Sequence, residues 1–295
     1  MVENLDTKIE VWLLTSFHII ALIVLIILHV IYTIRCDKLN TRIHMTFVCM
    51  YLFLVCVVLT LIFDYIDLSV YEDNPTTTST IWNVVAFLTS SFSHFFQFTY
   101  FYVALDVMND YIDKALYNKP KLFNVCKRIN QGCYVVLIVI INPSIGLFLY
   151  GYSIKSNALI TDMFDCGLLW SYYCVLTLLY CGIMFVACTN AIILSYMTKD
   201  GVSFSGILLS PLKTMICVDT VAVLFMVQAA IRFVLYFYKL VSISTRSTTI
   251  SSLSNELAPY VQIVVITCVH FPSIFILVFL LIPFTKPAKF NLKGY

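Results

Sequence analysis

A small set of polar side chains stands inside long apolar stretches of this chain, and their types are those of ligand recognition rather than bond-making. Arg232 has Gln228 one helical turn before it, and Asp64 and Asp67 lie three residues apart, on one face of a helix. Ser90, Ser91 and Ser93 run into His94, with Gln97 a turn further on, while Tyr260, Gln262 and His270 lie along the last apolar stretch. Ionisable groups within a membrane span are costly, so they point first to function. A guanidinium would meet an anionic ligand or be balanced by Asp64 or Asp67, while the hydroxyl, imidazole and amide groups would fix a small molecule's orientation. Each residue also has a plainer reading. The carboxylates can reach headgroups, Arg232 can snorkel, Trp82 and Trp170 suit an aromatic belt, and serines let helices pack closely.

Other chemistries lack their residues. There is no Ser/His/Asp set at a recognisable spacing, no H-E-x-x-H and no Gly-rich phosphate loop, so the chain reads as a non-enzyme. No C-x-x-C pair or His/Cys cluster suggests a metal, and nothing calls for a cofactor. Most cysteines, Cys49, Cys56, Cys188, Cys217 and Cys268 among them, fall in apolar stretches as packing residues, and Cys166 is expected in a loop.

The elements that position these groups are seven apolar runs: 11–34, 43–70, 81–107, 132–152, 167–196, 207–237 and 257–282. Each reaches the ~20 residues that cross a hydrocarbon core of ~30 Å. With 61% hydrophobic and 12% charged residues, and a mean hydropathy of +0.92, too little polar surface exists to cover a soluble core of this size. Backbone groups in lipid need internal partners, which leaves helices or a closed barrel, and runs this long without strict alternation exclude the barrel. The expected fold is a single all-α, seven-transmembrane helix bundle over residues 1–295, with the lipid bilayer as its solvent.

Orientation follows from the loops. Thirteen of the 18 Lys and Arg residues flank one side, including Arg35, Arg42, Lys114, Lys121, Lys213 and Lys289. Lys8, Lys155, Lys239 and Arg246 are on the other. The positive-inside rule therefore predicts an amino terminus outside and a carboxyl terminus in the cytoplasm. The first run lacks a small-residue cleavage site and reads as an uncleaved helix, which points to the plasma membrane as destination. Topology accounts for the basic residues, so no nucleic-acid partner is expected. At the cytoplasmic ends, Asp106, Asp110 and Asp113 around the close of the third run stand opposite Lys213 at the start of the sixth, an arrangement that could form an inner latch; ordinary solvated helix ends are the plainer reading.

Phe271-Pro272-Ser273-Ile274-Phe275 is similar to the N-P-x-x-Y pattern, and Asn109-Asp110-Tyr111 to D-R-Y without its Arg. With seven runs, basic inner loops and Phe/Tyr-rich, Gly-poor helices, the chain resembles the G-protein-coupled receptors, most closely the nematode serpentine chemoreceptors. The sixth run lacks C-W-x-P, and no cysteine opens the third run to pair with Cys166. The resemblance implies a chemosensory-type receptor that detects a small-molecule ligand at an outward cavity and signals through a heterotrimeric G protein. Asp106, Asp110, Tyr111, Lys213 and Pro272 would serve the switch. The competing expectation is a seven-helix transporter or channel-like protein using the same polar groups as a path.

Overall fold

A computed structural model describes residues 2–35, 41–73, 79–115, 211–246 and 265–281 continuously, and shorter helical stretches between 121 and 139 and between 163 and 189. Five elements frame the molecule: α1 (Val2–Arg35), α2 (Thr41–Asp73), α3 (Ser79–Ala115), α4 (Pro211–Thr245) and α5 (Phe271–Leu281), the last entered through a π-helical turn, Ile266–His270. They correspond to the first, second, third, sixth and seventh apolar runs. Among the described residues there is no strand.

Three stretches, Val11–Ile34, Thr41–Phe63 and Asp219–Thr245, are long and apolar enough to cross a membrane. They are the dimensions of an all-α membrane protein. The 37-residue α3 is not one of the three, because Thr89, Ser90, Ser93, His94 and Gln97 interrupt its apolar run. Run 132–152 is described only as far as residue 139, and run 167–196 is described in pieces.

The packing is inverted relative to a water-soluble protein. On α1 the buried stripe is Leu14, His18, Ala21, Leu25 and Tyr32, spaced by three, four or seven residues. Its outward positions are Phe17, Ile20, Ile23, Ile27, Val30 and Ile34. Lipid tails are as apolar as these side chains, so burying Leu25 gives little transfer energy, and close packing and hydrogen bonding hold the helices together. Small residues help: Ala21, Ala86, Ala104, Ala222 and Ala229 are all buried.

Helix α2 packs against α3 along the most extensive interface, with α1 on the flank of α2 and α5 against α4 and α3. Aromatic rings fill the centre. Phe53 of α2 meets Tyr100 of α3 edge-on at 5.7 Å and His270 at 5.0 Å. Phe225 of α4 lies 5.5 Å from Phe101 and 5.4 Å from Tyr180. Tyr134 stacks on Phe98 and Tyr102 of α3 at 6.0 and 4.4 Å, which seats the start of the fourth run. Such offset and edge-to-face pairs add about 0.5–1.5 kcal/mol each beyond area burial.

The π-turn has a local cause. Pro272 has no N–H, and its ring would strike the carbonyl of Cys268 in a regular α-helix. Widening the preceding turn removes that clash, and π-turns are common at kinks and functional sites. The consequence is the placement of His270, the last residue of the widened turn.

Cys166 departs from the expected loop. It is helical and buried, 4% exposed, at the start of the fifth run, where a small sulfur side chain serves packing. Among the described residues the cysteines are thiols rather than disulfides.

Candidate functional site

Four of the nine residues expected to bind a ligand converge on one buried network. His94 and Gln97 come from α3, and Gln228 and Arg232 from α4; their spacings of three and four place each pair on one helix face. His94 is 6% exposed, Gln97 1% and Gln228 4%, so their polar atoms are hidden from both lipid and water.

Two hydrogen-bond chains organise the site. In the first, Gln97 Nε2 donates to Gln228 Oε1 at 3.4 Å, and Gln228 Nε2 meets His270 Nε2 at 3.3 Å. Because the Gln228 oxygen is already the acceptor for Gln97, its amide nitrogen is the donor to His270. The second chain centres on Tyr173, from the fifth run. Arg232 Nη1 donates to the Tyr173 hydroxyl at 3.2 Å, and that hydroxyl lies 3.1 Å from His94 Nε2. With Arg232 donating, the hydroxyl keeps both its hydrogen and a lone pair for His94, so it can serve either tautomer of that ring. The Arg232 guanidinium also lies 5.8 Å from the centre of the Tyr173 ring, within cation–π range.

Aromatic side chains build the adjoining wall. Tyr173 stacks on Tyr236 at 5.2 Å, and Trp170 lies 5.7 Å from Phe233 and 6.1 Å from Phe237. Trp170 and Tyr173 thus serve the junction of the fifth run with α4. A membrane-belt residue would face outward; Tyr173 is 3% exposed.

The other expected ligand residues stand differently. Ser90 is half-buried on α3, and its carbonyl accepts from the Ser93 hydroxyl at 2.7 Å, a bond within one helix. Asp64 and Asp67 fall on α2, but their side chains lie outside the described residues, as do Tyr260 and Gln262 altogether.

Of the expected switch residues, Pro272 is half-buried directly after the π-turn. The side chains of Asp110, Tyr111 and Lys213 lie outside the described residues. The ion pair described for Asp106 is with Arg42 of α2 at 3.0 Å, the two side chains being 19% and 49% exposed. It closes the ends of α2 and α3 that carry the basic loops. An exposed pair of this kind contributes about 0–1 kcal/mol.

Three participants escaped the sequence reading as ligand or switch residues. His270 stands in the sequence only as a polar group along the last apolar stretch, and Tyr173 as one more aromatic side chain near the start of the fifth run; their partners show their role. His18 of α1, 0% exposed, lies 6.4 Å from His270 and 5.1 Å from Phe271, ring centre to ring centre. The signal available for His18 was an imidazole deep inside the first apolar run, which holds His29 as well.

The remaining two histidines form a second cluster nearer the other end of α1. His29 Nε2 meets His44 Nδ1 at 2.9 Å, His29 Nδ1 meets the Tyr51 hydroxyl at 2.6 Å, and Phe47 stacks on the His29 ring at 4.3 Å. All five histidines therefore lie in one of two groups. Among the described residues, no group of three or more His, Cys, Asp or Glu side chains is placed to hold a metal ion.

The site can hold, orient and discriminate polar groups. It has amide and imidazole hydrogen-bonding atoms and a cation seated on an aromatic ring. No protein-family model matches this chain, and neither a curated protein nor a solved structure does.

Proposed function

We propose that the chain is a seven-span, G-protein-coupled chemosensory-type receptor of the plasma membrane. In this reading the amino terminus is outside, the carboxyl terminus is cytoplasmic, and a small molecule binds between the third, fifth, sixth and seventh helices. The observation that carries it is the buried network of His94, Gln97, Tyr173, Gln228, Arg232 and His270, which joins those four segments through side chains alone. A ligand that re-partners any one of these groups changes the helix packing around it. That is what a receptor needs: two arrangements of the bundle with different affinity for an outer ligand.

The inner end supplies the second half. The Arg42–Asp106 pair bridges α2 and α3 where the basic loops begin. Its modest strength suits a contact that opens when the bundle rearranges to admit a G-protein segment. Asp110, Tyr111 and Lys213 belong to the same end, and Pro272 with its π-turn gives the seventh helix a place to flex.

The test is guanine-nucleotide exchange on added heterotrimeric G proteins, in membranes bearing the full chain, against a panel of small organic acids, alcohols and amines. The expected result is a saturable rise in exchange for at least one ligand class, lost in Arg232→Ala at equal surface expression. Ligand-driven ion or solute flux with no exchange would replace the receptor with the transporter.

A further inference from the structure

His18 and His270 are neighbouring buried rings, each with one unpartnered nitrogen among the described residues, and the two nitrogens are complementary. The His18 Nδ1 atom lies 2.7 Å from the Leu14 carbonyl oxygen. A carbonyl only accepts, so Nδ1 holds the ring proton, and in the neutral ring Nε2 presents a bare lone pair. Among the described residues that atom has no partner, and His18 is 0% exposed. His270 is the mirror case. Its Nε2 accepts from the Gln228 amide at 3.3 Å, which leaves the ring proton on Nδ1, and Nδ1 has no partner among the described residues. One ring thus offers an acceptor and the other a donor.

Their separation decides what can join them. The ring centres lie 6.4 Å apart at an interplanar angle of 74°. The directly bonded pair His29 and His44, with nitrogens 2.9 Å apart, has ring centres 5.0 Å apart. His18 and His270 are therefore too far apart for a direct bond, by about the step that one interposed oxygen adds at normal hydrogen-bond lengths. Ser273, one turn beyond His270, adds a third buried polar atom: its Oγ has no partner among the described residues, and the residue is 0% exposed.

We infer that a hydroxyl oxygen bridges His18 and His270, with Ser273 as its third partner. The chemistry is restrictive. The bridging group must accept from His270 Nδ1 and donate to His18 Nε2. A carboxylate or carbonyl cannot donate, an ammonium cannot accept, and a metal cation cannot face an N–H. A hydroxyl does both, and three partners is the usual number for a buried water. The oxygen belongs either to an ordered water or to the alcohol group of a ligand, and it ties α1 to the start of α5 beside Pro272. Buried polar atoms left unpaired are rare in native proteins, and here two belong to neighbouring rings while a third, on Ser273, stands one helical turn from His270. The bridge is independent of the signalling role proposed above.

The experiment is a thermal-unfolding cycle on the full chain in lipid nanodiscs. Phe keeps the ring and removes the nitrogens. If the bridge exists, His18→Phe lowers Tm by about 3 °C or more, and this effect largely disappears in a His270→Phe background, because the partner is already gone. A Ser273→Ala background, which disturbs packing less, reduces it as well and serves if His270→Phe does not fold. His18→Phe leaving Tm unchanged, raising it, or lowering it equally in every background overturns the bridge, since Phe would merely replace an unused lone pair. With coupling established, titration of short alkanols identifies the oxygen. A Tm rise in wild type that is absent in His18→Phe assigns it to an alcohol ligand, and no shift assigns it to water; both outcomes support the bridge.

Discussion

Replacing Gln228 by Met tests the network at its node. The substitution keeps the length and flexibility of the side chain but removes the amide that accepts from Gln97 at 3.4 Å and donates to His270 at 3.3 Å. Both distances exceed the usual 2.7–3.2 Å, so each bond lies at the weak end of its range. Interhelical hydrogen bonds in membranes average ~0.6 kcal/mol, which puts the direct loss for two at about 1 kcal/mol. The greater cost comes from the groups left behind. Gln97 is 1% exposed and His270 4%, so neither can turn to solvent, and a stranded buried donor or acceptor costs about 1–3 kcal/mol. Gln97 can recover part of this by re-pairing along α3, so the expected total is about 2–3 kcal/mol. For a chain of this size that is roughly a 5–10 °C fall in Tm. The assay is thermal unfolding in nanodiscs of Gln228→Met, Gln97→Met and the double variant. The account requires the double to lose clearly less than the sum, with a coupling of at least ~0.5 kcal/mol. A Gln228→Met Tm within 1 °C or so of wild type, or strict additivity with Gln97→Met, would refute the reasoning, because the amides would then be idle.

Tyr173→Phe removes the hydroxyl between Arg232 and His94 while keeping the stack on Tyr236, so ligand response should fall at least about tenfold with a stability loss near ~1 kcal/mol; a normal dose response would take Tyr173 out of the site. Arg42→Ala should raise basal nucleotide exchange and shift stability by less than ~1 kcal/mol, with partial recovery when Arg42 and Asp106 exchange charges; unchanged basal exchange in Arg42→Ala would remove the pair from the switch, and the same assay on Lys213→Ala tests that residue's expected role. Arg246 closes α4 at a φ of 53°, its N–H reaching the Ile243 carbonyl at 3.3 Å, so Arg246→Gly should stabilise the chain by about 1 kcal/mol; a lower Tm would show that the side chain outweighs the backbone strain.

What the sequence made legible was local. Run 11–34 coincides with the span Val11–Ile34, because hydropathy over one helix length depends on no other part of the chain. His94, Gln97, Gln228 and Arg232 were found the same way, as costly groups inside apolar runs. Their partners were not legible. Tyr173 reads as one more aromatic side chain in an apolar run until Arg232, 59 positions later, is seen to donate to it. His18 takes on meaning only beside His270, 252 positions away, and Arg42, which pairs with Asp106, stands 64 positions before it. The π-turn was half visible: Pro272 announces a disturbed helix, but only packing against α4 and α2 says which residue the wider turn aims inward.

The receptor reading rests on the chain crossing the membrane an odd number of times with its amino terminus outside. Epitope tags at the two ends of the full chain, probed in intact and then permeabilised cells, measure this directly. The account predicts that antibody reaches the amino-terminal tag on intact cells and the carboxyl-terminal tag only after permeabilisation. Both tags on one face, or the carboxyl-terminal tag alone reached from outside, would contradict it.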